Sequence, residues 1–488
     1  MKKIQMALRI TLFLTGAIFL YMIVNLILVG KTYYYEVPAH MLESPYLLAA
    51  KQDGFYALEK NTLDVVFFGS SRIHTAVNPS VLWNEYGIAS YDFSADEQSL
   101  AMTYWYLKEM FRYQRPQVVV INPVINPETR SGTSPHFSFD FLRSPDLKIL
   151  GTLDTTVANE WLENIFPILR YHSRWDELTA EDFEYLYSDK NHPLMGFLGY
   201  SYPNRQDSTA FITTNQVSEL DSVSKEQIDR ILELCRRYNT QVLFAKAPWS
   251  STEKEQARYN GLDQYLSDQS IPSLNGNKYI NEIDLDFDFD YIDIVHMTYS
   301  GAEKYSRWLG KYLTGHYELK NHKGDARYDA WEQSYRLYEE KKAELESPPY
   351  VVEETLMTVS TITLENTSGE VAVQWFDMTD FLEPDTDYRV SCNISSPSGA
   401  DAYIPPDLLY VDFYGTDYDA VEQNMDLSQN RWMDQEDTKK GLEGTCNTGS
   451  TLPEDVLMRV VYITNSEYSI ENLMLQKIVY PLKDESSQ

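Results

Sequence analysis

The sequence predicts three parts in order: one membrane-spanning helix, an α/β domain with a parallel sheet, and a C-terminal all-β sandwich. Three observations lead to this prediction. An uncharged apolar run lies near the N-terminus, apolar strands then alternate with amphipathic helices, and a period-two pattern follows Pro348-Pro349. The length of 488 residues also exceeds what one ordinary hydrophobic core holds, so several units are expected.

The N-terminal run predicts a membrane anchor. Residues 10–29 carry no charge and match the roughly 20 residues that cross a bilayer. Three basic residues precede the run and one follows it closely, which predicts a cytoplasmic N-terminus. Because no small-residue cleavage site follows, we expect an uncleaved signal anchor over residues 1–30; a cleaved export signal is the alternative. A juxtamembrane stalk over 31–60 would then connect this helix to the rest of the chain, which would be extracellular, as in a single-pass protein of the cell membrane.

Composition narrows the classes of partner and cofactor. The chain has 41 basic and 73 acidic side chains, a formal net charge of −32, which argues against nucleic acid as a partner. There are three cysteines and no Cys/His spacing typical of zinc, so we predict neither a metal site nor a cofactor. Cys392 and Cys446 both lie in the β-rich region and could pair in an oxidising compartment; the sequence leaves this open.

The α/β domain is predicted over residues 61–320. Its elements are a strand at 63–68, a helix from Asn78-Pro79, a strand at 91–93, a helix at 99–113, a strand at 117–121, a helix at 224–238, a strand at 241–245, a helix at 253–268, a last strand at 279–283, and a helix from Ser300 to Leu313. Such alternation is typical of a parallel sheet with helices on both faces. Residues 127–222 break the alternation and predict an insertion that caps the sheet's edge and shapes a substrate cleft.

A bridging helix and the sandwich complete the chain. Residues 321–347 carry an aromatic stripe at helical spacing, which predicts a helix that packs on a domain. The sandwich is predicted over 350–482, with strands at 351–364, 371–376, 388–394, 408–413, 457–463 and 470–479. The polar residues 483–488 predict a disordered tail.

Three residues in the α/β domain suggest nucleophilic catalysis. Ser71 follows the first apolar strand, and Asp293 and His296 stand three apart just before the last helix. A serine, a base that takes its proton and an acid that orients the base together form an activated nucleophile. Ser70 is the neighbour most easily confused with the nucleophile, and Asp290 is a spare candidate for the acid.

These motifs resemble a known superfamily. The residues Gly69 to Arg72, Ser94 to Gln98, Tyr171 to Trp175 and Asp293 to Ala302 resemble the SGNH/GDSL hydrolases. Within them, the match is to the membrane-anchored bacterial cell-envelope branch, such as teichoic-acid D-alanyl-transfer and alginate O-acetylation proteins. The resemblance covers roughly residues 60–315 and implies a flavodoxin-like three-layer domain. The C-terminal region resembles jelly-roll carbohydrate-binding modules in general pattern only.

The resemblance also implies roles for further residues. In this superfamily the nucleophile is the second residue after the glycine, which selects Ser71. The oxyanion hole would use the Ser71 amide together with Ala95 and Asn122, although the usual glycine and Gly-x-Asn-Asp contexts are absent here. Arg72, Gln98 and His172 are the candidate substrate-binding residues.

Two functions follow as hypotheses. The resemblance implies an extracytoplasmic serine acyl-ester enzyme, either an O-acyltransferase or an esterase, acting on a cell-envelope polysaccharide or teichoic-type polymer. Members of this branch commonly work beside a membrane-bound O-acyltransferase, which would be a partner here. Transfer and hydrolysis use the same residues, so the sequence does not separate them. The alternative is a non-catalytic SGNH-like surface protein that binds glycan or scaffolds an envelope assembly.

Overall fold

The computed structural model divides the chain into two compact units, Met1–Ala343 and Glu344–Gln488. It describes residues 2–30, 51, 54–125, 139–140, 142–184, 194–201, 203–346, 351–363, 371–395, 409–415, 420–426, 431–433, 440–449, 452–463 and 469–479. Most of the predicted stalk, the Pro348-Pro349 boundary and the predicted disordered tail lie outside the described residues.

The N-terminal segment is one long helix, α1, over Lys2–Gly30. Its stretch Ile4–Val29 is long and apolar enough to cross a membrane, and no other helix among the described residues meets that test. The prediction of one N-terminal apolar helix is therefore confirmed.

A five-stranded parallel sheet forms the centre of the first unit. Its strands are β1 (Val65–Phe68), β2 (Ser90–Asp92), β3 (Val118–Ile121), β4 (Gln241–Lys246) and β5 (Ser273–Asn275), in the order β2-β1-β3-β4-β5. This is the strand order of flavodoxin-like folds. The side chains of β1 and β3 are buried on both faces, as expected where helices cover a parallel sheet on both sides. The predicted α/β class is confirmed.

The helices of this unit follow the predicted alternation. Their bounds are α2 (Ser71–His74), α3 (Pro79–Tyr86), α4 (Leu100–Met110), α5 (Pro145–Thr155), α6 (Trp161–Ile165), α7 (Ile168–Tyr171), α8 (Ala180–Glu184), α9 (Ser222–Arg237), α10 (Glu253–Asp268), α11 (Ile280–Ile283), α12 (Tyr299–His316) and α13 (Asp329–Glu346). The aromatic face of α13 packs on the α/β domain, since Trp331 donates to the Ser90 carbonyl at 2.8 Å.

The predicted last strand at 279–283 is wrong. Residues Ile280–Ile283 form the short helix α11, which ends at Asp284 in a left-handed conformation with φ 63°. The fifth strand is β5, six residues earlier, which pairs in parallel with β4. Short apolar runs do not distinguish strand from helix by periodicity, and only the pairing with β4 decides between them here.

The predicted starts of α9 at Ser224 and of α12 at Ser300 are late by two residues and by one residue respectively. The cap of α9 is Asp221, whose carboxylate accepts from the Ser224 N–H at 2.9 Å. The cap of α12 is Thr298, whose hydroxyl accepts from the Gly301 N–H at 3.3 Å. In both cases an upstream oxygen side chain takes the N–H groups of the first turn, so each helix begins earlier than predicted.

The second unit is a sandwich of two antiparallel sheets, with the orders β10-β9-β13-β7 and β11-β12-β8-β14-β6. The strands are β6 (Val351–Thr363), β7 (Val371–Asp377), β8 (Asp387–Ser395), β9 (Leu409–Gly415), β10 (Ala420–Asp426), β11 (Arg431–Met433), β12 (Lys440–Asn447), β13 (Val456–Ile463) and β14 (Ser469–Val479). The six predicted strands are confirmed. β10 to β12 went unpredicted because polar residues and glycines obscure their alternation. Buried side chains from both sheets form one core.

The two cysteines of the sandwich lie on neighbouring strands but do not face each other. Cys392 is opposite Leu442, and Cys446 is opposite Tyr388. The four-residue offset separates the two cysteines by about 13 Å along the strands. A disulfide needs Cα atoms within about 7 Å, so this register does not allow the pair, and both cysteines are buried.

Candidate active site

The site lies where the strand order reverses. β1 is flanked by β2 on one side and β3 on the other, so the chain leaves β1 and β3 towards opposite edges of the sheet. In open parallel sheets, the crevice at such a switch point, beyond the carboxyl ends of the strands, is where ligands bind. Ser71 directly follows the turn after β1, and Asn122 follows β3.

A sharp turn after β1 positions the serine. Gly69 has φ 145°, and a Cβ on it would lie 2.7 Å from the Asn122 carbonyl oxygen, so only glycine fits here. The Gly69 N–H donates to Gln98 Oε1 at 3.1 Å. The turn buries Ser70, which is 5 % exposed, and places Ser71 partly exposed at the first position of α2.

The structure brings Ser71, His296 and Asp293 together. His296 Nε2 lies 2.8 Å from Ser71 Oγ, and His296 Nδ1 lies 2.7 Å from Asp293 Oδ2. The serine follows β1 and the other two residues come from the loop before α12, more than 200 residues later. These distances are the hydrogen-bond lengths that an activated serine requires.

Asp293 orients the histidine ring. Its Oδ1 accepts from the N–H groups of Val295 at 2.8 Å and His296 at 2.9 Å. Burial pushes the pKa of the Asp293 carboxyl upward, but hydrogen bonds from the His296 ring and from the Val295 and His296 backbone outweigh it, so the pKa lies below its ordinary value. An ionised Asp293 selects the tautomer that donates from Nδ1, which leaves Nε2 to accept the Ser71 proton.

Asp290, the spare candidate for the acid, has another role. It accepts from Lys304 Nζ and Ser300 Oγ, each at 2.8 Å, and from the Asp286 N–H at 2.6 Å. Gly301 packs tightly against it, since a Cβ there would lie 2.4 Å from the Asp290 carbonyl oxygen. Asp290 therefore holds the triad loop onto α12.

The three predicted oxyanion donors differ in availability. Among the described residues, the Ser71 N–H donates to no other group. The Asn122 side chain is 1 % exposed, and neither its oxygen nor its nitrogen has a partner in the described part of the chain. The Ala95 N–H, in contrast, donates to the Gly69 carbonyl at 3.3 Å. Two of the predicted donors are thus free, whereas Ala95 helps to hold the turn.

Arg72 follows Ser71 directly, and its guanidinium stacks on Trp249, 4.4 Å from the ring centroid. Within the described part of the chain it has no acidic partner. The same indole contacts the buried Lys246 ammonium at 3.7 Å, and that ammonium also donates to Asn277. Burial, reinforced by the charge of Arg72, lowers the pKa of Lys246 well below its ordinary value. An unpaired guanidinium on a fixed aromatic surface can bind an anionic group.

The other two predicted substrate-binding residues do not contact the triad. Gln98 is 1 % exposed, and its Oε1 accepts from the Gly69 N–H and the Thr103 hydroxyl, each at 3.1 Å. This geometry indicates that Gln98 supports the turn. His172 lies in the 3₁₀ turn after α7, where its ring pairs with the Leu169 carbonyl at 2.9 Å.

Sequence reasoning missed a buried polar network beside the site. Lys51 Nζ lies 3.0 Å from Asp92 Oδ1 and donates to Ser94 Oγ at 2.8 Å, and Asp96 lies 3.6 Å from His74. Burial raises the pKa of the Asp96 carboxyl, and the charges of Lys51 and His296 offset part of that rise. No motif in the sequence identified Lys51, because it lies before the first strand of the sheet and more than 40 residues from its partners Asp92 and Ser94. The described residues contain no group of three or more His, Cys, Asp or Glu that could hold a metal ion.

Comparisons with known proteins give only distant likenesses. No family model and no curated protein matches the chain. A Bacteroides fragilis protein provisionally assigned as an acylhydrolase is 13 % identical, covering 54 % of this chain and 94 % of its own, with a TM-score of 0.28. The CBM22-1 xylan-binding domain of Paenibacillus barcinonensis Xyn10C is 13 % identical, covering 25 % of this chain and 94 % of its own, with a TM-score of 0.16.

A third similar structure is a carbohydrate-binding module from Cellvibrio mixtus lichenase 5A in complex with cellotriose. It is 10 % identical, covers 26 % of this chain and 91 % of its own, and has a TM-score of 0.12. At these identities and TM-scores the likenesses carry no functional argument. The chemistry of the site follows from its own geometry.

Proposed function

We propose that this chain is a membrane-anchored, extracytoplasmic serine acyl-ester enzyme of the SGNH type, with Ser71 as nucleophile, His296 as base and Asp293 as the orienting acid. The observation that carries the proposal is the unbroken chain of hydrogen bonds from Asp293 through His296 to Ser71, with lengths of 2.7 and 2.8 Å. Its location at the switch point of the sheet supports the proposal, because substrates reach that edge.

The reaction proceeds through an acyl-enzyme. His296 Nε2 takes the proton of Ser71 as Oγ attacks the ester carbonyl, and the oxyanion accepts hydrogen bonds from the Ser71 N–H and the Asn122 side-chain amide. The leaving alcohol departs with the proton from His296, which leaves the acyl group on Ser71. A polymer hydroxyl or water then loses its proton to His296 and attacks this ester, which gives transfer or hydrolysis respectively. The bond from the acyl carbon to Ser71 Oγ breaks, and His296 returns the proton to Oγ, which restores the free serine.

The anchor and the acyl acceptor are part of the same proposal. α1 spans the cell membrane with its N-terminus in the cytoplasm, because the basic residues flank that end. The acceptor is then a cell-envelope polysaccharide or teichoic-type polymer, and a membrane-bound O-acyltransferase is the partner that would deliver the acyl group. The acidic net charge of −32 suits a solvated surface outside the cell.

Covalent labelling of the full-length protein in detergent micelles with a fluorescent fluorophosphonate tests the proposal. We expect the wild type and Ser70→Ala to be labelled and Ser71→Ala to remain unlabelled, because only an activated serine reacts. Ser70 is a matched control, since it is the adjacent serine and is buried. A folded wild-type protein that takes up no label would refute the proposed activity, and so would labelling that survives in Ser71→Ala.

Arg72 is expected to select esters that carry an anionic group near the scissile bond. Charge-assisted hydrogen bonds contribute about 1.5–3 kcal/mol, so Arg72→Gln should lower kcat/KM for an acetylated uronate about 10- to 100-fold. The rate with a neutral aryl acetate should change less than about twofold. Measuring both substrates on the same preparation separates recognition from chemistry.

Arg72→Lys is the control that keeps the positive charge but removes the planar guanidinium. It should recover only part of the uronate activity, because a lysine cannot bind a carboxylate through two parallel hydrogen bonds. An equal loss with both esters would contradict a role in substrate selection and would indicate that Arg72 supports the nucleophile turn.

Glycan binding by the sandwich is the second candidate function. Trp375 on β7 is 45 % exposed, and the Arg459 guanidinium lies 5.7 Å from its ring centroid. A large exposed aromatic ring beside a cation can stack on a sugar ring and hydrogen-bond its hydroxyls. This observation supports binding as a function of the second unit, whether or not the first unit is catalytic.

Trp375→Ala should weaken glycan binding about fivefold, since an aromatic contact contributes roughly 1 kcal/mol beyond the area that it buries. The measurement is the retardation of the full-length protein in native gels that contain a soluble cell-wall polysaccharide. Val373→Ala is the matched control, because Val373 is 46 % exposed and lies two residues away on the same face of β7. Equal retardation of all three proteins would argue against this surface.

A further inference from the structure

Exposed apolar side chains of the first unit are concentrated in one stretch of the chain. Outside α1, thirteen large apolar side chains among its described residues are exposed, and ten of them lie between residues 149 and 183. Leu162 is 64 % exposed and Trp175 is 70 % exposed. Single exposed apolar side chains are ordinary on soluble proteins, whereas a concentration of this size marks an interaction surface. We name residues 145–184 the apolar platform.

The apolar platform contacts α1. Three of its elements pack along α1, namely α7, α8 and the 3₁₀ turn between them. The ring of Phe166 meets that of Tyr21 edge to face, with 6.0 Å between centroids. Arg174 donates to the Leu28 carbonyl at 2.5 Å and pairs with Asp182 at 2.7 Å. The platform therefore lies beside the C-terminal third of α1.

The height of these contacts along α1 sets their depth in a membrane. Tyr21 precedes Val29, the end of the apolar stretch, by eight residues, or about 12 Å of helix. The 26 residues of that stretch span about 39 Å, against about 30 Å for the hydrocarbon core. If the whole excess of about 9 Å protrudes at the C-terminal end of α1, Tyr21 still lies about 3 Å inside the hydrocarbon, and Phe166 lies beside it.

The polar groups of the platform suit the same location. Arg174 satisfies the carbonyl of Leu28, one of the last four carbonyls of α1 that have no partner within the helix. A basic side chain at this helix end is favourable and lies at the level of the lipid headgroups. Trp161 and Trp175 are both exposed, and tryptophan is enriched at the boundary between hydrocarbon and water.

We infer that the apolar platform is immersed in the outer leaflet of the lipid bilayer beside α1, so that a monotopic surface supplements the helical anchor. This inference rests on the proposed membrane anchoring of α1. Lipid acyl chains are the occupant that the contact with α1 favours, because exposed apolar side chains lie in the same segments that pack along this apolar helix.

Two hydrogen bonds tie the platform to the α/β domain. Asp154 on α5 accepts from Trp105 Nε1 at 2.9 Å and from Arg230 at 2.7 Å. Gly151 packs against Trp105 and Phe139 so closely that a Cβ would lie 2.6 Å from the Phe139 ring. Immersion of the platform therefore holds the α/β domain in one orientation at the membrane surface.

The test uses the full-length protein in phosphatidylcholine vesicles that contain a lipid with a nitroxide on its acyl chain. A polarity-sensitive fluorophore is attached at Val157→Cys, at Leu162→Cys, at Val217→Cys and at Phe13→Cys, each in a separate protein. Val217 is the matched control for Val157, since each is 55 % exposed. The wild type, with its three buried cysteines, measures the background labelling.

We expect strong quenching of the label at 157, 162 and 13, and quenching of less than about one fifth of that at 217. Quenching at 13 without quenching at 157 and 162 would overturn the platform and leave the anchor intact. Quenching at none of the four would overturn the platform together with the proposed anchoring. Protection of 157 and 162 from iodide without acyl-chain quenching would show that protein covers the platform, which would also overturn its immersion in lipid.

Discussion

Replacing His296 with alanine is expected to lower kcat/KM for ester hydrolysis about 10⁴- to 10⁶-fold. The Ser71 hydroxyl is a weak nucleophile until a base removes its proton, and His296, whose Nε2 lies 2.8 Å from Ser71 Oγ, is the proposed base. The measurement is the rate of hydrolysis of an aryl acetate by full-length protein in detergent, at enzyme concentrations high enough to detect the residual rate.

The matched control for this prediction is His316→Ala. His316 is an exposed histidine at the end of α12, and its ring pairs with the Tyr312 carbonyl of the same helix at 2.8 Å. This variant should retain wild-type kcat/KM within about twofold. The double variant Ser71→Ala/His296→Ala should be no slower than either single variant, because residues that act as a unit lose their effect together. A multiplicative loss in the double variant would contradict a shared role.

Asn122→Ala is expected to lower kcat about 10²- to 10³-fold and to change KM little. Removal of one oxyanion donor costs about 2.7–4 kcal/mol of transition-state stabilisation. Asn122 qualifies because its side chain is buried without a partner at the end of β3, and its Cβ lies 3.0 Å from where a Cβ on Gly69 would sit. The measurement is kcat and KM for the same aryl acetate, together with the free energy of unfolding in urea.

A loss of stability would have to be separated from a loss of catalysis. The Asn122 side-chain amide makes no hydrogen bond to any residue that the structure describes, so its removal should cost less stability than loss of a bonded side chain. Asn78→Ala is the contrasting control: Asn78 Oδ1 caps α3 by accepting from the Ser80 N–H at 2.9 Å, and its removal should cost about 1 kcal/mol of stability with kcat unchanged. If kcat stayed at the wild-type value in Asn122→Ala, the assignment of Asn122 to the oxyanion hole would fail.

The sequence by itself determined those features that depend on local pattern. The apolar runs ending at Phe68 and Ile121 predicted buried parallel strands, because burial on both faces demands continuous apolar residues. The candidate residues Ser71, Asp293 and His296 could also be selected from sequence, because each directly follows or precedes a recognisable element. The 20-residue uncharged run predicted the N-terminal helix for the same kind of reason.

Only the tertiary structure decided which distant groups meet. Ala95 and Asn122 look equally available in the sequence, but the Ala95 N–H is engaged by the Gly69 carbonyl and the Asn122 amide is free. Stacking of Arg72 on Trp249 joins two strand ends that are separated by 177 positions in the numbering of the chain. The contact between α1 and the apolar platform is of the same kind. Periodicity and capping are set within a few residues, whereas these pairings depend on strand order and helix packing, which no local pattern encodes.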